Sequence, residues 1–535
     1  MRSASRLHEP FVEHDCVNSH FPACGNVALG RCVVLERVEM KFLFAGVSGL
    51  ALLATSPAYA VLTPADVTDR LEAMAALADG AIQYDLETRE DGSVVLRDIL
   101  ILDLDDKPLL RQTQGEIVFA PILNDDFEVD VQGLEALSFD LMEDGDQMGE
   151  VSITHDDYTY QMRGSAELVE SVYTVSRATV DMSNDGVADV PAFTASLIGE
   201  GITSEMVSNF ARSEGSMSTR IERVTTESLT SQAQGGVSTR ALSVYEDTAY
   251  QAEWAGMPLA ERLAGLRAEE LPPVLKQDSF AVSGTSGQAR SASEMTNRGG
   301  ATILTDASTG ASAFNAELKE GQLTAQISGE DMVMTLTGTV LPFPKASVSL
   351  AGLDTSLSIP VMVEKGTANG AYSLRLDRLS VSDNVWSMVD PQGQLPRDPA
   401  DLVLDLAFGG QFEDGLFAQM SEIEQDISRL KFESLDINEL SLSAIGVDLV
   451  AEGAFTFDNS QGETVPQGSM NAEVSGLDGV IATLAGMGVL PPEIMMSARM
   501  LMGLMLVPGD RPDTYTSVIE VAPDGTVSAN GVPLQ

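Results

Sequence analysis

Cysteine, histidine, aromatic residues and positive charge are all scarce in this 535-residue chain. The three cysteines, Cys16, Cys24 and Cys32, lie within the first 39 residues, together with His8, His14 and His20. Beyond them the chain holds one histidine, His155, and no thiol. That excludes disulfides, cysteine-based zinc sites and thiol nucleophiles from everything after residue 39. Aromatic residues make up 5% of the chain, so core volume must come from Leu, Val, Ile, Ala and Met. Basic residues number 31 against 80 acidic ones, a net charge of −49. Residues 1–60 hold five of each sign, so the whole excess falls on the remainder. A surface this acidic repels phosphate backbones and anionic headgroups, which argues against nucleic-acid binding. Its plain role is solubility. After residue 60 no apolar run approaches the ~20 residues that span a bilayer.

What is present begins with an export signal. From Met40 the chain reads MKFLFAGVSGLALLATSPAYA. Lys41 supplies a positive n-region, Phe42 to Leu53 an apolar stretch, and Ala58-Tyr59-Ala60 the small residues read by a signal peptidase. Residues 40–60 are therefore expected to be a signal peptide, cleaved after Ala60, that delivers the chain to the periplasm. Residues 1–39 show no hydrophobic periodicity and precede a signal that should stand first. They are expected to be a mis-called, disordered leader; the alternative is an unusually long n-region.

The remaining chain is long enough for two or three domains. Thr63-Pro64-Ala65-Asp66 has the chemistry of a helix start, followed by Val67, Leu71, Met74 and Ala78 on one face and a stop at Gly80. The period then changes to two. Ile82, Tyr84 and Leu86 lead through Glu90-Asp91-Gly92 to Val94 and Leu96, a hairpin pattern. The device recurs around Glu320-Gly321 and Asp524-Gly525. Between them lie strand-like runs, among them Leu137–Met142, Tyr173–Met182, Leu374–Val381, Leu402–Ala407, Leu435–Leu442 and Val447–Phe457. The pattern predicts a β-dominated α+β fold of large twisted antiparallel sheets, packed with a few helices. Helices are expected where Ile202, Met206 and Phe210 share a face, at Leu259–Leu266, at Phe417–Leu430, at Leu477–Met487 and at Glu493–Leu506. Thr225–Gly236 and Ser283–Gly300 read as small-residue linkers. The expected organisation is residues 61–282 as one β-rich half, 283–300 as linker and 301–535 as a second β-rich half. A duplicated architecture is open.

Four groups of residues invite a chemical reading. His155, beside Asp156 and Asp157, has the makings of a base and its orienter, but no nucleophile elbow G-x-S-x-G accompanies it; a strand or turn histidine is the default. The run from Asp181 through Asp185 and Gly186 to Asp189 resembles the first nine positions of a calcium loop. Ala192 stands where the bidentate acid belongs, and Asn-Asp-Gly also simply makes a turn. Asp103, Asp105 and Asp106, or Asp125 and Asp126, form carboxylate clusters that read as solvated loops. Met495, Met496, Met500, Met502 and Met505 make a soft helix, expected to fill the core beneath a curved sheet, with a lipid-lining role as the alternative. No catalytic, cofactor-binding or metal-binding residue is assigned on this basis.

Trp386 leads to Asp390-Pro391, then Pro396-Arg397-Asp398-Pro399-Ala400 and the strand Leu402–Leu406, and the chain closes on Asn530-Gly531-Val532-Pro533-Leu534. Through these segments and its opening Leu62–Val67, the sequence is similar to the bacterial proteins grouped as domain of unknown function 2125. That resemblance implies an exported bacterial protein and supplies no catalytic residues. A more distant likeness in β-rich texture, to AsmA-like envelope proteins, implies β-grooves that handle lipids. The expectation is therefore a non-enzymatic periplasmic protein with no cofactor, holding a lipid or other apolar ligand in a β-groove for envelope maintenance. The rivals are a scaffold with a self-filled core and a carboxylate-based hydrolase.

Overall fold

Thr63 caps the first helical turn, residues 64–69, through a reciprocal pair of hydrogen bonds. The Asp66 N–H donates to Thr63 Oγ1 at 3.2 Å, and the Thr63 N–H donates to Asp66 Oδ2 at 2.8 Å. Leu62 and Val67 beside it are buried. The computed structural model describes residues 62–69, 82–102, 107–122, 126–143, 145–165, 167–184, 186, 191–210, 212–231, 236–256, 279–339, 341–360, 367–411, 431–459, 465–489 and 492–534. These fall in one compact unit, Leu53–Gln535. The leader, the signal segment, the expected opening helix beyond residue 69 and the expected helices at Leu259–Leu266 and Phe417–Leu430 lie outside the described residues.

Among the described residues, the strands after the opening turn form one antiparallel sheet of 27. It begins with β1 (Ile82–Thr88), β2 (Val94–Leu102), β3 (Pro108–Gln114), β4 (Ile117–Pro121), β5 (Val129–Gln132), β6 (Ala136–Glu143), β7 (Asp146–Asp156) and β8 (Thr159–Gly164). Val95, Phe119, Val129, Val131 and Val151 form the best-buried part of the molecule here, each no more than 1% exposed. Four long strands follow: β9 (Leu168–Asn184), β10 (Ala192–Asn209), β11 (Glu214–Ser231) and β12 (Ser238–Ala255). Next come β13 (Ser279–Ser286), β14 (Ala289–Thr296), β15 (Thr302–Thr309), β16 (Ser312–Lys319) and β17 (Gln322–Gly338). Then run β18 (Lys345–Pro360), β19 (Thr367–Val381), β20 (Ala400–Gln411), β21 (Lys431–Ala444), β22 (Val447–Asp458) and β23 (Val465–Ser475). The sheet closes on β24 (Val507–Pro508), β25 (Thr514–Val521), β26 (Val527–Ala529) and β27 (Val532–Pro533). Short, proline-bearing strands at this edge discourage further pairing. Among the described residues, three helices interrupt the meander: α1 (Asp383–Val389), α2 (Leu477–Gly486) and α3 (Pro492–Met505).

A crease crosses the sheet. Strand β9 pairs with β7 up to Asp156↔Arg177 and with β8 from Thr159↔Thr174, so β7 and β8 are one strand broken at Asp157, whose φ is 50°. The break continues sideways at Gly201 (φ 62°) in β10 and Asp247 (φ 51°) in β12, then between β13 and β14 at Gly287, and returns at Asp331 (φ 49°) in β17 and Arg378 (φ 56°) in β19. Pairing of β10 with β9 and of β11 with β12 resumes beyond the break in the same register, while between β19 and β20 the register shifts between Leu376 and Leu379. The alternation of buried positions changes parity across the break. On β10 the buried positions are Phe193 and Gly199 before the crease and Ile202, Ser204, Met206 and Ser208 after it. The buried positions of β10 thus pass from odd to even numbers across Gly201.

Two expectations fail against this sheet. Ile202 and Met206 lie on a strand, with Phe210 just past its end, not on a helix. A spacing of four also keeps residues on one face of a strand, and the intervening Ser204 and Ser208 take the alternate buried positions. Neither small-residue stretch acts as a linker where it is described. Residues 225–231 complete β11, and 283–296 run through β13 and β14, each paired on both sides. Serine and threonine fit a pleated surface as readily as a loop. The sheet thus runs without interruption from one expected half into the other. The three hairpins at Glu90-Asp91-Gly92, Glu320-Gly321 and Asp524-Gly525 form as expected.

Candidate apolar binding face

In the C-terminal strands the alternation resolves into two unlike faces. Cross-strand pairing aligns Leu353, Leu376, Leu402, Leu442, Leu449, Val474 and Tyr515 into one row over seven strands. A second row on the same face runs Leu374, Leu404, Leu440, Ala451, Ala472. A third runs Leu357, Tyr372, Leu406, Ile437, Gly453, Met470, Ile519. At the usual strand spacing the rows extend about 29 Å across the sheet. The opposite face carries Asp354, Arg375, Asp405, Glu439, Glu452 and Glu473, the positions between the leucines.

The apolar face is only half closed. None of its large aliphatic residues belongs to the fully buried core, and Leu442 is 37% exposed. A sheet face sandwiched against a second layer buries such residues almost completely, as β2, β4 and β5 do here. At one end the face closes in aromatic rings: Phe408 and Phe432 lie 6.1 Å apart, Phe432 and Phe457 6.3 Å. Gly370 admits the first of these, because a Cβ there would stand 2.2 Å from the Phe408 ring.

The Trp386–Ala400 motif turns the chain between two strands that build this face. The Asp390 side chain is fully buried; its Oδ1 accepts the Gln394 N–H and its Oδ2 the Leu395 N–H, both at 2.9 Å. Those donors, with the Arg397 charge, hold its carboxyl below the usual carboxylate range. Arg397 donates to the Asp390 carbonyl at 3.1 Å and to Asp383 at 2.8 Å, and its guanidinium sits 6.0 Å from the Trp386 ring. The motif is a clamp for the β19–β20 connection, with its polar groups consumed in holding the turn.

The other sequence candidates separate. His155 Nδ1 lies 2.6 Å from the Leu134 carbonyl, among the rings of Tyr158 and Tyr173. Burial pushes its pKa down, and pushes that of neighbouring Tyr160 up to about 12. Asp181 to Asn184 are the last residues of β9, paired with β10. Asp185 and Asp189 lie outside the described residues, as do Asp103, Asp105, Asp106 and Asp125. Asp181 borders an open cavity of about 760 Å³ with Ser138, Glu150, Ser152 and Arg240. Among the described residues no three metal-capable side chains converge. The methionine helix is not core filling: Met496 and Met500 on α3 are 74% and 72% exposed. Sequence reading marked β19 to β22 singly and β25 through its hairpin, and passed over β23. Its missed feature is the register that aligns the leucines, which resides in the pairing of distant strands.

No curated protein and no solved structure matches this chain. A family profile does, over residues 282–535, described as an uncharacterized protein conserved in bacteria. This stretch contains the apolar face, the Trp386–Ala400 clamp and the α2–α3 hairpin, and over it the chain is similar to the bacterial DUF2125 family.

Proposed function

We propose that the protein is exported to the periplasm and there holds an acyl chain, or an apolar ligand of similar shape, against the leucine-lined face of strands β18–β25, without catalysing a reaction. The observation that carries the reading is the set of aligned rows through Leu376, Leu404 and Ile437, continuous across the strands yet half-buried. Such a surface gains from covering by hydrocarbon, at roughly 25 cal/mol per Å² removed from water. A ligand held this way is recognised by its chain and not by a headgroup, which suits a role in maintaining the envelope. The signal-like segment at residues 40–60 supports the compartment.

Native mass spectrometry and lipid extraction of the full chain, purified from the periplasm, test the reading. The expected result is co-purifying lipid that Leu404→Asn with Ile437→Asn removes, while the circular dichroism spectrum is retained. N-terminal sequencing should find Val61 first. A bare protein mass without extractable lipid would favour a self-filled scaffold and overturn the binding reading. A mature chain beginning well before Val61 would overturn the cleavage site.

A further inference from the structure

We infer that the outer face of α3 docks on the surface of a zwitterionic phospholipid bilayer. Helices α2 and α3 form a hairpin inserted between β23 and β25, whereas the β21–β22 connection at the same end needs only the two-residue turn Ile445-Gly446. Ile494, Met496, Met500 and Leu501 on α3 are each more than half exposed, as is Val489 just before it. Helices on a protein surface normally turn polar residues outward; here large apolar residues stand outward beside Ser497 and Arg499.

Charge and area select the occupant. Residues 477–508 carry only Asp478, Glu493 and Arg499 as charged groups, a nearly neutral window in a chain of net charge −49. A strongly anionic partner or an anionic membrane would meet repulsion from the surrounding acidic surface. A second copy offers too little surface. A fourteen-residue helix is about 21 Å long and about 10 Å wide, which covers a small part of the ~800 Å² per partner that a stable dimer needs. A bilayer sets no such minimum and accepts flexible methionine side chains without a fitted pocket. The helix is too short to cross, so it lies in the interface.

This inference stands apart from the ligand reading, since docking needs no bound lipid. Its test is co-flotation of the full exported chain with phosphatidylcholine vesicles. The chain should float, and Met496→Glu with Met500→Glu should lower the floated fraction at least tenfold without altering the circular dichroism spectrum. In the unsubstituted chain, vesicles should slow peroxide oxidation of Met496 and Met500, read by mass spectrometry, several-fold. Adding anionic lipid should weaken flotation at low salt. A chain that stays at the bottom of the gradient, a variant that floats equally, or vesicle-independent protection accompanied by dimers in light scattering would each overturn the inference.

Discussion

At the scale of single residues, the polar groups that look chemical in the sequence are spent on structure. His155 gives its ring to the Leu134 carbonyl and a ring of tyrosines. Its folded pKa lies below the ordinary 6.5, because burial disfavours the charged imidazolium. The unfolded chain therefore binds this proton more readily, so the residue's contribution to stability is complete above about pH 6.5 and falls as pH drops through the folded value. Denaturant melts at pH 7 and pH 5 should show the wild type losing more stability on acidification than His155→Gln does. Asp390 was legible as part of a motif, but its burial was not, because the donors it serves come from a turn whose path no local pattern specifies. Gly201 was invisible for a similar reason. Its φ of 62° exists only because the crease passes through β10, and a Cβ there would meet the Glu222 side chain at 2.5 Å. Gly201→Val should cost about 1–2 kcal/mol in urea unfolding.

At the scale of elements, hairpins with their turn residues were readable because the signal is local: a period of two and an Asp-Gly or Glu-Gly at the bend. The strand at Ile202 was misread because a spacing of four keeps residues on one face of a strand as well as of a helix. Beside the crease, Arg177, Glu200, Arg223 and Glu246 occupy opposed positions on four neighbouring strands. Arg177 lies 3.1 Å from Glu200, and Arg223 lies 3.2 Å from Glu246 and 3.9 Å from Glu200. The pairs are half-exposed, so each is worth little alone. Arg223→Ala nevertheless leaves two glutamates facing across an uncharged position. It should lower stability by about 1 kcal/mol at low ionic strength and by less in 1 M salt, measured by chemical denaturation.

At the scale of the whole molecule, composition announced the sheet and the pairing decided what the sheet is for. In Leu402–Leu406 leucine alternates with Val403 and Asp405, which marks one side of the strand as leucine-lined. Only the register places such sides in unbroken rows. Small-residue stretches at 225–236 and 283–300 suggested divisions that the continuous ladder does not respect where it is described. The rows and their partial burial are the basis for reading this face as a seat for hydrocarbon. Photo-crosslinking in living cells tests that most directly, with a benzophenone side chain placed in turn at Leu404 and at its neighbour Asp405. Lipid adducts at position 404 and none at 405 are the predicted result. Equal labelling at both positions, or none at 404 in an otherwise folded protein, would contradict it.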